Sequence, residues 1–285
     1  MTTEIRTLAV VGHPIAHSLS PTLHQAAYDH LGLPWKYVAV DVQPGELAGF
    51  LDSTDSSLRG LSVTMPHKVA ALEASNRLDL LSERTGSVNT LLCDYNELGQ
   101  RELSGFNTDV LGIVNALKDS GVHQAHHVAV IGGGATASSA IAAASELGAE
   151  HISVVVRTPQ KAFYLEAVGQ ECGVNVSVHS FDQMSNIAPV DVAISTIPGD
   201  VEQSLESLPR TSRATLLDVA YNPWPSARGT QWSAAGGEVV SGLRMLAHQA
   251  LIQARIFVGG SPFEVLPDES GVKSAMFASV GLESL

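Results

Sequence analysis

Residues 127–149 read HVAVIGGGATASSAIAAASELGA. A short apolar run, 128–131, enters three consecutive glycines, and an alanine-rich stretch, 135–147, leaves them. Gly132, Gly134 and Ala137 complete a G-x-G-x-x-A pattern in the strand–turn–helix context that a dinucleotide-binding turn requires. Glycines let the backbone approach a pyrophosphate, and the N-terminus of the following helix favours its negative charge. A tight βα turn with no ligand has the same local sequence, so both readings stand on this pattern alone. The end of the next strand bears on the ligand. An NAD site usually carries Asp or Glu roughly 20 residues on, bonded to the ribose 2′-hydroxyl. Here ISVVVRTPQK, residues 152–161, places Val156 and Arg157 at that point. Arg157, Thr158 and Lys161 suit a 2′-phosphate through bidentate and point-charge contacts, which favours NADP over NAD. The alternative is a pair of solvated charges at a strand end.

Outward from this segment the alternation continues in both directions. β-Branched runs at 8–11, 35–42, 58–64, 87–93 and 103–106 precede it, and runs at 152–156, 174–178, 191–196, 216–219 and 238–240 follow. Between them, helices are expected at 21–31, 44–51, 67–74, 79–85, 108–120, 160–172, 243–257 and 271–278. Such alternation implies mostly parallel sheets with helices on their faces. A polar segment with clustered His and Gln, 121–127, reads as a connection. A second boundary near Gly242 would return the C-terminal helix to the first lobe.

Composition narrows the function class. The chain has 285 residues, and its 16 Lys and Arg against 29 Asp and Glu give a formal charge of −13. That balance argues against a nucleic-acid reader. Two cysteines, Cys93 and Cys172, cannot build a disulfide framework or a thiolate zinc site, and they point to a reducing compartment. The apolar run near the N-terminus is too short for a signal-peptide core, and no stretch approaches the length of a membrane helix. The expectation is a soluble, cytoplasmic protein with no membrane or nucleic-acid partner.

Several residues carry possible chemistry, each with a bland alternative. Ser18 and Ser20 precede a Pro-initiated helix, where hydroxyls suit a small anion. On spacing alone, capping by Ser20 with Ser18 merely polar is the favoured reading. His13, His17 and His24 lack a completing carboxylate or Cys, as do His123, His126 and His127, so no metal site is expected. Lys68 stands at a helix start, where the helix dipole disfavours a cation. Asn89 falls at a strand position where Asn is uncommon. Asp109 lies in a first helical turn, with Asn107 or Thr108 as candidate caps.

Taken together these residues resemble the shikimate dehydrogenase family. Eight ordered segments carry the likeness along nearly the whole chain. GHPIAHSLSP, SVTMPHK, GSVNTL and GFNTDVLG are similar to the family's N-terminal motifs. VIGGGATA and VVRT are similar to its cofactor motifs, and LLDVAYNPWPS and SGLRMLAHQA to its C-terminal ones. The resemblance implies a two-lobed α/β fold with the active site in the cleft between the lobes. A substrate-binding domain, 1–110 with 241–285, would accompany a Rossmann-type, doubly wound NADP domain, 111–240. It implies reversible reduction of 3-dehydroshikimate to shikimate. Ser18 and Ser20 would bind the substrate carboxylate, with Tyr221, while Thr64, Asn89, Asp109 and Gln249 bind ring oxygens. Lys68 and Asp109 would be the catalytic pair. Gly132, Gly133, Gly134, Ala135, Thr136, Ala137, Arg157, Thr158, Lys161, Thr196, Val219 and Gly242 would form the cofactor site.

The residue types suit the chemistry. Hydride addition to a ketone leaves a developing alkoxide, which a positioned lysine stabilises and protonates. In the reverse direction the lysine must be neutral to act as base. The Asp109 carboxylate favours the charged lysine, so it orients Lys68 and the substrate hydroxyl, or relays the proton. Departures from the family pattern are Ser62 for Asn, Val156 for the Asn of N-R-T, Thr136 within the glycine loop, Ser195–Thr196–Ile197 for N-A-T, and Ser226 for Thr. A quinate/shikimate dehydrogenase using NAD is the nearest alternative, against which Ser20, Arg157 and Lys161 speak. A non-catalytic nucleotide sensor is the remote one. The apolar stripe of 243–257 packs within the chain or against a second copy in a homodimer.

Overall fold

The computed structural model describes residues 5–283. Residues 1–4 and 284–285, the outer ends of the expected substrate domain, lie outside the described residues. The chain divides into two compact units, one running through Thr108 and resuming at Gln249, the other spanning Asp109–His248.

The first unit contains β1 (Thr7–Gly12), α1 (Ser20–His30), β2 (Lys36–Asp41), α2 (Leu47–Ser53), β3 (Leu58–Val63), α3 (Lys68–Ala74), β4 (Arg77–Leu78), α4 (Leu80–Thr85), β5 (Thr90–Tyr95) and β6 (Arg101–Phe106). Its six strands lie in the order β2-β1-β3-β5-β6-β4. β1 pairs in parallel with β2 and β3, whereas β5 runs antiparallel to β3 and β6. A core of Val11, Leu58, Leu61, Val63 and Leu91 lies against this sheet.

The second unit begins with α5 (Asp109–Asp119), followed by β7 (His127–Ile131), α6 (Ala135–Glu146), β8 (His151–Val156), α7 (Tyr164–Glu171), β9 (Asn175–Ser180), β10 (Val190–Ser195), β11 (Arg210–Asp218), α8 (Ala227–Ala234) and β12 (Glu238–Ser241). All its strand pairs are parallel, in the order β12-β11-β10-β7-β8-β9. β7, β8 and β10 are buried along nearly their whole length, which is why they read as continuous apolar runs. From β7 the chain winds outward through β8 and β9, then crosses to β10 and winds the other way. The β7/β10 boundary is therefore the switch point at which open α/β sheets bind ligands, beyond the strands' carboxyl ends. Helix α9 (Gly242–Gly259) starts in the second unit and ends in the first, and α10 (Glu269–Ser279) follows.

The differences from the sequence expectations have local causes. Asn89 precedes β5 rather than lying within a strand over 87–93. The expected helix over 160–172 splits into a 3-10 turn, Pro159–Lys161, and α7. α8 had no apolar period to reveal it, since its eight residues include Gly229 and Thr230. β11 starts with the polar run RTSR, so only its apolar end was legible. The 3-10 segment Phe181–Asn186 was missed although Ser180 and Gln183 form a capping box at its start. Ser20 is not the cap of α1: the cap position is Leu19, and the Ser18 hydroxyl accepts from the Ser20 N–H at 3.3 Å.

Candidate active site

In the second unit the site grows from the glycine turn. Gly132 has φ +116°, and a Cβ there would lie 2.3 Å from Thr196 Oγ1. Both facts demand glycine. Thr196 is fixed in turn, its N–H and hydroxyl both donating to the Ile131 carbonyl at 2.8 and 3.0 Å. Gly134 occupies the cap position of α6 with open space where a side chain would be. Ala137, fully buried, keeps the first turn of α6 close to the sheet. The Tyr164 hydroxyl donates to the Gly133 carbonyl at 3.0 Å and steadies the turn from outside.

A cavity of about 440 Å³ opens beside this turn. Gly132, Gly133, Val156 and Arg157 line one side of it, as the sequence led one to expect. Phe181, Ile197, Pro198, Val201, Glu202 and Gln203 line the other and were not anticipated. They come from the starts of loops after β9 and β10, which only the parallel sheet order brings beside Arg157. Val156 is buried and approaches the position of a Gly133 Cβ to 3.1 Å, so it packs the turn where the family pattern has an amide. Thr158 and Lys161 are exposed and do not line the cavity. Among the described residues Arg157 is thus the cation of its wall, facing one acid, Glu202.

The loop after β11 carries Tyr221, half-buried, its hydroxyl pushed toward the neutral form by burial. Below it the buried Asp218 accepts from the Ser226 hydroxyl at 2.5 Å and lies 3.0–3.2 Å from the Arg228 guanidinium. Ser226, in place of Thr, keeps the hydroxyl and also caps α8 through the Gly229 N–H. Arg228 donates to the carbonyls of Ile197, Pro198 and Val201, so one buried guanidinium holds the cavity's far wall. Gly242 opens α9, and a Cβ there would fall 2.0 Å from the Val219 carbonyl oxygen.

In the first unit the polar side chains converge on Asn89. Val88 donates its N–H to the Lys68 carbonyl, which ties the first residue of α3 to the strand leading into β5. Asn89 Oδ1 accepts from the Thr108 N–H at 2.9 Å, and Asn89 Nδ2 donates to Thr108 Oγ1 and Gln249 Oε1 at 2.9 and 3.3 Å. Asn107, expected as a cap of α5, donates to Thr85 and Ser87. Asp109 is the next residue after Thr108, buried at the first position of α5, where the helix dipole favours a carboxylate. Ser20 is buried at the mouth of α1, and Thr64 lies just past β3, its methyl filling the space left by Gly12.

A glycine turn at the switch point of an all-parallel sheet, with an arginine at the end of the second strand, defines a dinucleotide-binding α/β protein. A family profile described as "Shikimate dehydrogenase substrate binding domain" matches residues 10–91. The shikimate dehydrogenase (NADP(+)) of Ignicoccus hospitalis is 32% identical over 258 residues, covering 90% of this chain and 94% of that one. The crystal structure of Mycobacterium tuberculosis shikimate dehydrogenase superimposes with TM-score 0.81 at 35% identity, covering 96% and 99% of the two chains. The Thermus thermophilus enzyme, solved with NADP(H) and shikimate, gives 0.78 at 31% identity, again covering 96% and 99%. The chain belongs to the shikimate dehydrogenase family. Among its described residues no helix is long and apolar enough to cross a membrane.

Proposed function

We propose that this chain interconverts 3-dehydroshikimate and shikimate with NADP. The observation that carries the reading is the kinship to shikimate dehydrogenases (NADP(+)) over 90% of the chain, which spans both structural units. Residues 1–110 with 241–285 are assigned to the substrate and 111–240 to the cofactor.

The residues present fit a bound dinucleotide. Gly132 and Gly134 leave the turn bare of side chains at the N-terminus of α6, where a pyrophosphate is favoured. Arg157 is assigned the 2′-phosphate, with Thr158 and Lys161 as its sequence neighbours. Thr196, Val219 and Gly242 are also assigned to the cofactor, and Gly133, Ala135, Thr136 and Ala137 to the turn itself. When bound, the nicotinamide supplies or accepts the hydride.

On the substrate side, Ser18 and Ser20 are assigned the carboxylate, with Tyr221. Thr64, Asn89, Asp109 and Gln249 are assigned ring oxygens. Lys68 stabilises the oxygen that gains charge as the carbonyl is reduced, and then donates it a proton. In the reverse direction neutral Lys68 accepts the hydroxyl proton. Asp109 is assigned to orient the lysine and the substrate hydroxyl, or to relay the proton. Two cysteines outside any disulfide, Cys93 and Cys172, support a reducing, cytoplasmic setting.

Steady-state formation of NADPH from shikimate tests the assignment of Lys68. Lys68→Met is expected to lower kcat by roughly 10²- to 10⁴-fold with little change in the KM for NADP. A kcat within tenfold of the parent would remove Lys68 from the chemistry.

A further inference from the structure

Four residues beyond Gln249, on the same helix, stands Gln253, a buried amide that the assigned chemistry does not use. Its Oε1 accepts from the Ser62 hydroxyl at 2.7 Å and lies 3.1 Å from His24 Nε2. Its Nε2 donates to the Asn89 carbonyl at 3.1 Å and to Thr90 Oγ1 at 2.9 Å. Both ends of this amide are therefore engaged inside the unit.

The direction of these bonds is fixed by backbone groups. Turned end for end, Gln253 would place its carbonyl 3.1 Å from the Asn89 carbonyl, two acceptors face to face. Turned likewise, Asn89 would set its NH2 against the Thr108 N–H, two donors at 2.9 Å. With both amides fixed, the hydroxyls follow. Thr90 accepts from Gln253 and donates to Asn89 Oδ1 at 2.8 Å. Thr108 accepts from Asn89 Nδ2, and its own proton has two acceptors in reach, Asn89 Oδ1 at 3.1 Å and Gln249 Oε1 at 3.3 Å. A donor sequence thus runs from Gln253 through Thr90 to Asn89, whose Nδ2 donates to Gln249 Oε1 directly.

The far end is equally determined. The Tyr37 hydroxyl donates to Ser62 at 2.6 Å, which leaves the Ser62 proton for Gln253. Burial pushes the His24 imidazole down to about 4, so the ring is neutral at physiological pH. Nε2 carries its hydrogen toward Gln253, and Nδ1 accepts from the Tyr28 hydroxyl at 3.2 Å. The ring stacks on Tyr37 at 4.2 Å and 3°. Ser62, which replaces the family's Asn, is what lets a serine–glutamine pair close this end.

We infer that Gln253 is a positioning residue that, through Thr90, holds the Asn89 amide in the orientation the Thr108 N–H dictates, and with it the Gln249 carbonyl to which Asn89 donates. The inference rests on the assignment of Asn89 and Gln249 to substrate oxygens. Gln249 turns its carbonyl toward Asn89 and Thr108, so its opposite edge carries N–H donors. That edge matches an oxygen acceptor on the ligand, a ring hydroxyl or ketone, and opposes a ligand donor. Fixing an amide before the ligand arrives reduces the ordering cost of binding.

The test is kinetic, on the full chain, with shikimate and NADP varied separately. Gln253→Met keeps the volume and removes both polar ends. Thr90→Val keeps Gln253 and breaks the sequence at one hydroxyl, which covers the case where Gln253→Met fails to fold. Each is expected to raise the KM for shikimate roughly 10- to 100-fold, with kcat and the KM for NADP within about threefold. Asn89→Ala is the control for the underlying assignment and is expected to raise the shikimate KM by itself. Gln253→Met added to Asn89→Ala is expected to cost little more, because the two act in series. If Asn89→Ala raises the shikimate KM while the folded Gln253→Met or Thr90→Val leaves it within threefold, the positioning role is overturned. Additive effects of Gln253→Met and Asn89→Ala overturn it as well. If Asn89→Ala itself has no effect, the assignment of Asn89 fails first, and the role built on it fails with it.

Discussion

Arg157 separates the cofactor reading from a bare βα turn most sharply. Among the described residues it is the only basic side chain on the wall of the cavity beside Gly132 and Gly133, and Glu202 stands in the same wall. A charge-assisted contact to a 2′-phosphate contributes about 1.5–3 kcal/mol. Arg157→Ala should therefore raise the KM for NADP roughly 10- to 100-fold and leave the KM for shikimate unchanged. Glu202→Gln should move the KM for NADP the other way, by a few-fold, through lost repulsion. Steady-state kinetics with each cofactor checks both; equal effects on NADP and NAD would detach Arg157 from the phosphate. Arg157 was legible in the sequence because its signal is local, a cation at a strand end where an acid is usual. Gln253 was not, because its partners Thr90 and Ser62 lie 163 and 191 positions away. Glu202 was hidden for a similar reason: no periodic pattern predicts which loop faces a strand end.

Among elements, the path from β11 through Tyr221 to α8 depends on one buried ion pair. Asp218 and Arg228 are almost wholly inaccessible, and Arg228 also holds three carbonyls of the loop after β10. Removing one partner of a buried pair leaves the other charge uncompensated, which typically costs about 3–5 kcal/mol. Arg228→Ala should show that loss in chemical denaturation of the second unit and a raised KM for NADP, since the loop forms a cavity wall. An unchanged midpoint would show that the pair is dispensable. The strand and helix order was readable from the alternation of β-branched and alanine-rich runs. The ends of elements were not. β5 starts after Asn89, although the Asn89 backbone still bonds Val63 and Phe106; what the strand position hid was that its side chain is committed to Thr108 and Gln249.

Across the whole molecule, His24 links stability to acidity. Its folded-state value is pushed down to about 4 by burial, below the ordinary 6.5. The unfolded chain therefore binds one more proton than the folded chain between those values, so stability rises with pH there. The contribution is intact above pH 6.5 and is lost as pH falls toward 4, by about 3 kcal/mol. His24→Gln should flatten that part of the stability–pH curve, read from denaturation midpoints; a variant with the parent's slope would assign the proton elsewhere. At this scale the eight family segments made the two-unit architecture legible, because each is short and most sit at element ends. The central claim is the pairing of one substrate with one cofactor. Its most direct test sets shikimate and quinate against NADP and NAD, and reads reduced cofactor at fixed pH and salt. The account predicts rapid NADPH formation from shikimate and weak activity in the other three combinations. Preferential NADH formation from quinate would contradict it, and with it the role given to Arg157.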